Sequence, residues 1–427
     1  MTVSVAHGTV RLPALSAPTM AQAYERARAA LAEAGLTGQD AVQVIEYVTP
    51  HATTPHLGTP DPGTPDFGTP DFGTPHAGPA DIGMPHAGTP HAGTSDAGMA
   101  GDGPGGDGPG RDGPGRDGPG RDGTAGDGTA RDATAGDGIG RLGGVREAAG
   151  FGGVTVSRVA VERLVEPGHQ VAVEVTAYPG GGERTATPHG VVTVAGEIVY
   201  LPGILPADLT AGFREQYRSC LDVAGDLLKV AGTGLDALVR TTDYTATATR
   251  AEYPRCGRPR KELLGGEGGV YPGAAGILVD HPVAEGAMVW LDAVASRRPL
   301  RPVNPGWARY DTLTYQPGVA AGDTLFMSGF GALDPVTQQA VFDGDLLAQA
   351  EFTYASIVAV LREAGLAGDA VVRLVEYLTP AAIPKYHEIS DLRDRCFPGG
   401  YALTSVVCSA LLRPEFLIEV VPTAVFP

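Results

Sequence analysis

Three acidic residues, each followed directly by a tyrosine, are the groups in this sequence best suited to acid–base chemistry. They are found in the pairs Glu46-Tyr47, Asp243-Tyr244 and Glu376-Tyr377. Each pair lies in a run of apolar and β-branched residues that predicts a strand. Acidic side chains are disfavoured in strands, so their recurrence needs a reason. One hypothesis is a general acid or base assisted by the tyrosine, with a pKa raised by burial. The other is a structural ion pair inside a barrel of strands, with Arg240 and Arg373 nearby.

A basic cluster in the middle of the chain is the second group of chemical interest. Arg255, Arg258, Arg260 and Lys261 precede a glycine-rich turn, and Tyr271 follows it. Arg255, Arg258 and Tyr271 are therefore candidate substrate-binding residues, since positive charge and backbone N–H groups suit an anion. A solvated loop is the alternative. No P-loop, HExxH, GxSxG or post-strand GxGxxG motif occurs, so we expect no cofactor and no metal.

The elements that must position these groups recur three times along the chain. AEAGLTGQDAVQVIEYVTP ends at Pro50, REAGLAGDAVVRLVEYLTP ends at Pro380, and 230–247 is a weaker copy. Each copy follows a predicted hairpin and an amphipathic helix, and precedes a second helical region and two late strands. The predicted fold class is α+β, with each unit a mostly antiparallel sheet that carries helices on one face. The predicted units are 1–180, 181–304 and 305–427. The predicted first helices are 21–34, 213–231 and 346–364.

Composition limits the classes of protein to consider. The chain has 427 residues and a net charge of -18, without the clustered Lys and Arg of a nucleic-acid surface. No apolar run reaches 18 residues and no signal-peptide pattern is present, so we expect a cytoplasmic protein that contacts neither nucleic acid nor membrane. Four scattered cysteines predict free thiols. Glycine recurs every five residues through much of 51–145, which predicts a disordered array inserted in the first unit.

Several motifs resemble the Rid/YjgF family of reactive-intermediate deaminases. They are AGDTLFMSGFGALDP, AEFTYASIVAVLREAGL, VVRLVEYLTP and ALTSVVCSALLRPEFLIEVVPTA, all in the third unit. The resemblance extends more weakly over the other two units and implies the chorismate-mutase-like fold. Family members are typically homotrimers with ligand pockets between subunits. Three units in one chain therefore imply a monomeric pseudo-trimer with a small-molecule substrate.

The family's functional residues are only partly retained at the positions that the resemblance assigns. A family arginine on the first late strand binds the substrate carboxylate, and its matches here are Val156, Gly273 and Thr404. Arg158, two residues beyond Val156, is a candidate replacement. A family glutamate on the last strand positions water, and its matches here are Thr176, Asp292 and Val421. Asp292, the one carboxylate of this set, is therefore a candidate catalytic residue, with a structural salt bridge as the alternative.

Three functions fit these observations. The first is a diverged Rid-type enzyme that acts on a small reactive imine, enamine or enol by hydrolysis, tautomerisation or cyclisation, in specialised metabolism. The second is an enzyme similar to chorismatases, which also combine Rid-like units in one chain; the basic cluster favours it and the third unit argues against it. The third is a non-catalytic binding or scaffold protein, which the missing arginine suggests. The fold alone does not choose among them.

Overall fold

Three β-sheets with helices packed against them make up the part of the chain that the structure describes. The computed structural model describes residues 2–53, 143–264 and 269–427. The array predicted over 51–145 lies outside the described residues except at its two ends. In chain order the strands are β1 Ser4–Ala6, β2 Thr9–Ala17, β3 Ala41–Val48, β4 Thr155–Ala160, β5 Arg163–Leu164, β6 Val171–Ala177, β7 Glu183–Thr187, β8 Gly190–Ala195, β9 Ile198–Tyr200, β10 Leu238–Ala246, β11 Gly273–Val279, β12 Val289–Ser296, β13 Leu300–Val303, β14 Gly318–Ala321, β15 Thr324–Met327, β16 Val371–Leu378, β17 Ala402–Val407, β18 Ala410–Leu411 and β19 Ile418–Val425.

The helices follow the predicted positions closely. They are α1 Met20–Glu33, α2 over 143–148, α3 Phe213–Val230, α4 Gly257–Leu264, α5 Leu346–Glu363 and α6 Ser390–Cys396. The long helices α1, α3 and α5 agree with the sequence to within one residue at each end. In the second helical regions, 3₁₀ turns over Thr247–Cys256 and Pro380–Ile389 precede α4 and α6. Each of these turns contains an internal proline, which an α-helix tolerates poorly.

The three sheets share one strand order. In the first sheet it is β1-β2-β6-β3-β4; the second contains β11-β10-β12-β9-β8, and the third contains β14-β15-β19-β16-β17. In each sheet, therefore, the hairpin pairs with the last strand, the last strand pairs with the middle strand, and the middle strand pairs with the first late strand. The middle strand is parallel to the first late strand and antiparallel to the last strand in every case. The observed class is mixed α+β, as predicted.

Short strands link the sheets to one another. β18 follows β17 in the chain but pairs with β11 of the second sheet, and β5 pairs with β17 of the third. β13 adds to the hairpin edge of the third sheet. These pairings leave fewer edge backbone groups unsatisfied at the borders between sheets.

One face of each sheet is covered by its own helices. Apolar residues spaced three and four apart place Tyr24, Ala27 and Leu31 of α1 on the first sheet. The same spacing buries Tyr354, Ile357 and Leu361 of α5 on the third. Side-chain caps fix where these two helices begin: Thr19 accepts from the amide of Gln22, and Asp345 accepts from that of Ala348.

The opposite faces of the three sheets meet in a shared apolar core. That core contains Tyr47 and Ile45 from β3, Tyr244 from β10, and Tyr377 and Val375 from β16. The hydroxyls of Tyr244 and Tyr377 are 2.8 Å apart. Each sheet therefore has two buried faces, which explains why every residue of β3 and β16 is buried.

Two further expectations from composition can be compared with the structure. All four cysteines are free, and Cys220, Cys256 and Cys408 are buried. Among the described residues, no helix is long and apolar enough to cross a membrane.

Candidate active site

The acid and the tyrosine of each repeated pair point to opposite faces of their sheet. Successive side chains alternate along a strand, so the two cannot act on one bound molecule. The tyrosines enter the shared core, whereas Glu46, Asp243 and Glu376 lie beneath the helices and have no exposed surface. The predicted pairing of an acid with its following tyrosine in general acid–base catalysis is therefore wrong.

The acids of the first and third sheets form structural ion pairs. Glu46 accepts from Tyr24 of α1 at 2.7 Å and pairs with Arg146 at 3.1 Å and Arg158 at 2.6 Å. Arg158 is thereby engaged inside the first unit rather than held ready for a substrate. The alternative prediction of a structural ion pair is correct for Glu46, but the pair lies on the helix side of the sheet.

Glu376 in the third sheet has an equivalent set of partners. It accepts from Tyr354 of α5 at 2.7 Å and from Tyr386 at 2.6 Å, and it pairs with Arg393 of α6 at 3.0 Å. Arg146 and Arg393 are each the fourth described residue of their helices, so a helix-borne arginine reaches the acid in both sheets.

Arg240 and Arg373 do not contact the repeated acids, contrary to the prediction. Arg240 donates to Thr423 Oγ1 at 2.9 Å, and Arg373 forms an ion pair with Glu174 of the first sheet. Both arginines sit three residues before the acid on their strands, which places them on the opposite face.

Strand register corrects two of the assignments drawn from the family resemblance. On the first late strands, Thr155, Gly273 and Ala402 lie opposite equivalent residues of the middle strands. By that register Thr404 corresponds to Ser157 and Ala275 rather than to Val156 and Gly273. The segments that precede these strands differ in length, so the sequence alone did not determine which residues of the three first late strands are equivalent.

The last strands need a similar correction. Glu174 faces Ile45, Asp292 faces Thr242 and Val421 faces Val375, so these three residues are equivalent. Thr176 is not a member of the set, and Asp292 is not its only carboxylate. Burial raises the pKa of Asp292, which accepts from Ser157 of the first sheet at 3.0 Å. Glu174 accepts from Thr404 at 2.8 Å, so Thr404 is also engaged between two sheets.

A cavity of about 620 Å³ lies between the second and third sheets. The second sheet and its helical region contribute Asp243, Arg250, Tyr253, Arg260 and Gly276; the third contributes Phe330, Arg413, Phe416 and Glu419; and the segment before it contributes Trp307, Arg309, Tyr310 and Tyr315. We call this space the interface cavity. Its volume suits a small organic molecule, and its mixture of aromatic and charged walls is typical of a ligand site.

Glu419 is a buried carboxyl group in the wall of the interface cavity. It is 6% exposed and accepts a hydrogen bond from the backbone N–H of Gly276 across the sheet border. Burial raises the pKa of its carboxyl to about 8, and the charge of Asp243 adds to the effect. A group that holds its proton near neutral pH is able both to donate and to accept one.

Sequence reasoning missed Glu419, although a signal for it was present. It lies on the last strand, two residues before Val421, and therefore shares a strand face with the position that the family glutamate was assigned. A Cβ at Gly329 would collide with Oε1 of Glu419. Because glycine has no Cβ, the backbone at Gly329 lies directly against the Glu419 carboxyl.

Four arginines contribute to the wall of the interface cavity. Arg260 donates to Thr314 O, Tyr217 Oη and Thr241 Oγ1, whereas Arg250 and Arg413 each donate to one backbone carbonyl. The Nε of Arg250 is buried without a partner. Within the described residues, none of Arg250, Arg260, Arg309 and Arg413 forms an ion pair. The charges of Arg250, Arg309 and Arg413 are available to an anionic ligand.

The other predicted substrate-binding residues lie away from the interface cavity. Arg255 pairs with Glu252 at 2.8 Å and Arg258 with Glu262 at 2.7 Å, both on the exposed surface. Tyr271 packs against the helix-side core of the second sheet. Gly273 is buried next to Ser328. Of the basic cluster, Arg260 alone reaches the cavity, because it lies on the buried side of α4.

The fold and site together define an α+β protein with a charged, aromatic-walled ligand cavity between two of its sheets. A family model described as Endoribonuclease L-PSP matches residues 309–426. Protein DfrA of Myxococcus xanthus is 38% identical over 96 residues, which are 22% of this chain and 71% of that protein. The chain therefore belongs to the Rid/YjgF family, to which this model corresponds.

Solved structures with similarity to this chain include a chorismatase and single-unit Rid proteins. The chorismatase is 16% identical, with a TM-score of 0.45, over 62% of this chain and 86% of its own. A Rid-family protein of Yersinia pestis is 23% identical, with a TM-score of 0.26, over 30% of this chain and all of its own.

Proposed function

We propose that the interface cavity is the active site of an enzyme that acts on a small carboxylate bearing a reactive imine, enamine or enol. The observation that carries the proposal is the buried Glu419 carboxyl, with a pKa of about 8, in a cavity that also holds guanidinium groups without ion-pair partners among the described residues. Perturbed pKa values in a cleft are characteristic of catalytic groups. Family membership is consistent with this chemistry.

The roles of the residues follow from their positions. Arg250, Arg309 and Arg413 bind the substrate carboxylate. Glu419, protonated at neutral pH, delivers its proton to the nucleophilic carbon of an enamine, which produces an iminium ion, or of an enol, which gives the ketone once the enol hydroxyl has released its proton. For hydrolysis, the resulting Glu419 carboxylate takes a proton from water as the water oxygen bonds to the iminium carbon, which gives a carbinolamine. Transfer of the carbinolamine hydroxyl proton to nitrogen and breakage of the C–N bond then release ammonia and leave a carbonyl product.

We further propose that the chain is three tandem Rid-like units, at 1–180, 181–304 and 305–427, that pack as a monomeric pseudo-trimer. The common strand order and the core shared by Tyr47, Tyr244 and Tyr377 support this arrangement. Joining units in one chain raises their effective concentration and lets each interface diverge. The two other interfaces have diverged: a buried Arg373–Glu174 pair occupies one, and Asp292 with Ser157 occupies another.

A second candidate function is the cleavage or hydrolysis of an enol ether on a carboxylated ring, as in a chorismatase-like enzyme. The aromatic wall favours it: the rings of Trp307 and Tyr310 lie 5.8 Å apart, and those of Tyr310 and Tyr315 lie 5.4 Å apart. Such a wall suits a flat ring, and the arginines suit its carboxylates. We do not propose ribonuclease activity, because the net charge of -18 opposes binding of a polyanion.

The test compares two substrates and two matched variants. The purified protein is offered 2-aminoacrylate, formed in place from serine, and separately chorismate. Glu419→Gln should lower turnover of the accepted substrate by about 10²- to 10⁴-fold, the typical contribution of a positioned proton donor. Asp292→Asn, at a different interface, should leave turnover within about 2-fold. If Asp292→Asn lowered turnover and Glu419→Gln did not, the result would indicate that the active site is at the interface that contains Asp292. Absence of turnover, together with absence of thermal stabilisation by either compound, would contradict both functions and leave a non-catalytic protein.

A further inference from the structure

The three repeated acids provide an internal comparison, because two of them are saturated with donors. Glu46 uses both oxygens, for Tyr24 and Arg146 on one and for Arg158 on the other. Glu376 likewise uses both, with Tyr354, Tyr386 and Arg393 as donors. In these two units a buried carboxylate is therefore neutralised by a guanidinium and stabilised by tyrosine hydroxyls.

Asp243, the corresponding acid of the second unit, is not saturated. Tyr217 and Tyr253 both donate to its Oδ2, at 2.8 and 2.9 Å. Its Oδ1 is buried and has no partner among the described residues. It forms no ion pair there either, although it has no exposed surface. Unlike Glu46 and Glu376, Asp243 borders the interface cavity.

The missing donor has a clear structural origin. Arg260 is the fourth residue of α4, as Arg393 is the fourth residue of α6, but it forms no hydrogen bond or ion pair with the acid among the described residues, although the charge of Asp243 helps to raise the pKa of Arg260. It donates instead to Thr314 O, a group outside the second unit, and to Tyr217 and Thr241. The side chain of Asp243 is also one methylene shorter than that of a glutamate, so its carboxylate reaches less far toward α4.

A second donor is also absent at this place. Register pairs Glu46 with Arg158 and Glu376 with Ser405, but it pairs Asp243 with Gly276. In the third unit the hydroxyls of Ser405 and Tyr386 are 2.6 Å apart. In the second unit a Cβ at Gly276 would lie 2.7 Å from the hydroxyl of Tyr253. Gly276 therefore supplies no side-chain donor to Asp243, and both residues line the interface cavity.

We propose that Asp243 and Tyr253 form a recognition subsite for a protonated nitrogen on the ligand of the interface cavity. The ligand is then a small carboxylate that also bears an ammonium or iminium group. Its nitrogen supplies the positive N–H donors that a guanidinium supplies to Glu46 and Glu376, while its carboxylate meets Arg309 and Arg413, which the third sheet and the segment before it contribute to the cavity. This inference rests on the proposed function in taking the cavity as the active site, and within that function it favours nitrogen-bearing substrates over neutral enol ethers.

Binding of a matched series of ligands tests the inference on the wild-type chain. L-phenylalanine, L-3-phenyllactate and 3-phenylpropanoate share a ring and a carboxylate, and they differ in carrying an ammonium, a hydroxyl or neither at the same carbon. Calorimetric titration should give L-phenylalanine an affinity about 10- to 100-fold higher than that of 3-phenylpropanoate, as expected for a charge-assisted hydrogen bond. Phenyllactate should fall between them.

Variants then locate the selectivity. Asp243→Asn should bring the affinity ratio of L-phenylalanine to 3-phenylpropanoate close to 1, and Tyr253→Phe should reduce it partly. Glu376→Gln, the same change at the equivalent position of the third unit, should leave the ratio unchanged. Equal binding of all three ligands by the wild type would overturn the subsite but keep the cavity as an anion site. Failure of every ligand to bind would overturn the subsite and the proposed function together.

Discussion

At the scale of single residues, Glu419 makes the stability of the chain depend on pH. Burial raises the pKa of its carboxyl from 4.5 to about 8. Between these values the folded chain keeps a proton that the unfolded chain has released. The stabilising effect is complete below the lower value and is lost as the pH rises through the upper one, by at most about 1.4 kcal/mol per pH unit.

We therefore predict that the wild type loses stability relative to Glu419→Gln as the pH is raised from 5 to 8, roughly the window of the raised pKa. The amide of the variant stays neutral throughout, so its unfolding free energy lacks this contribution. Urea denaturation at several pH values measures the difference between the two proteins. Parallel pH profiles for the two proteins would show that Glu419 ionises normally.

Turnover that needs the protonated Glu419 carboxyl should fall above about pH 8.

The repeated acids give a second prediction, because they differ in how many arginines each one has. Within the part of the chain that the structure describes, Glu376 pairs with Arg393 alone, whereas Glu46 pairs with both Arg146 and Arg158. Arg393→Met leaves a buried charge without a cation and should lower the unfolding free energy by about 3 kcal/mol. Arg146→Met should cost about 1 kcal/mol, because Arg158 remains. Chemical denaturation compares the two, and equal losses would contradict this account.

At the scale of elements, glycines set how closely the connection before two of the middle strands approaches a neighbouring backbone. Gly368 begins a 3₁₀ turn, and a Cβ at Gly368 would collide with the carbonyl oxygen of Cys396. A Cβ at Gly38, which begins the equivalent turn, would lie 2.5 Å from the carbonyl oxygen of Gly150. The equivalent turn before the third middle strand begins at Leu235, which carries a Cβ.

Gly368→Ala should accordingly lower the unfolding free energy by about 2 kcal/mol, since a backbone carbonyl cannot move aside as a flexible side chain does. Gly257→Ala at the start of α4 is the matched control, because nothing lies within 4 Å of its Cβ position. That change should be neutral or slightly stabilising. Thermal unfolding of both variants measures the contrast. A loss at Gly257 as large as at Gly368 would argue against close approach as the cause.

At the scale of the whole molecule, the shared core bears on the state of association. If three units in one chain form the complete assembly, the chain has no need of further copies to bury its sheets. We predict a solution mass near 43.7 kDa by light scattering on a gel-filtration column. A mass near three chains would contradict the pseudo-trimer.

Much of the architecture follows from local patterns that the sequence carries openly. The spacing of apolar residues defined the three long helices to within one residue, and the repeated EYVTP-like segments marked the middle strands. Family membership followed from motifs in the third unit. These features depend on neighbours within a few positions, where periodicity of 2 or 3.6 residues is visible.

The contacts of the residues that line the interface cavity were determined only by the tertiary structure. The sequence alone predicted three similar units, an acid in each, and a basic cluster in the second. Only the folded chain decided that Glu419 faces Gly276 across a sheet border, that Arg260 turns toward Thr314, and that Oδ1 of Asp243 has no hydrogen-bond partner among the described residues. Contacts between sheets join residues far apart in the chain, and a two-residue shift in strand register keeps the same face and so leaves no trace in an alternating pattern. The physical reason is that local periodicity fixes which face a side chain takes, whereas only packing between sheets fixes what it meets there.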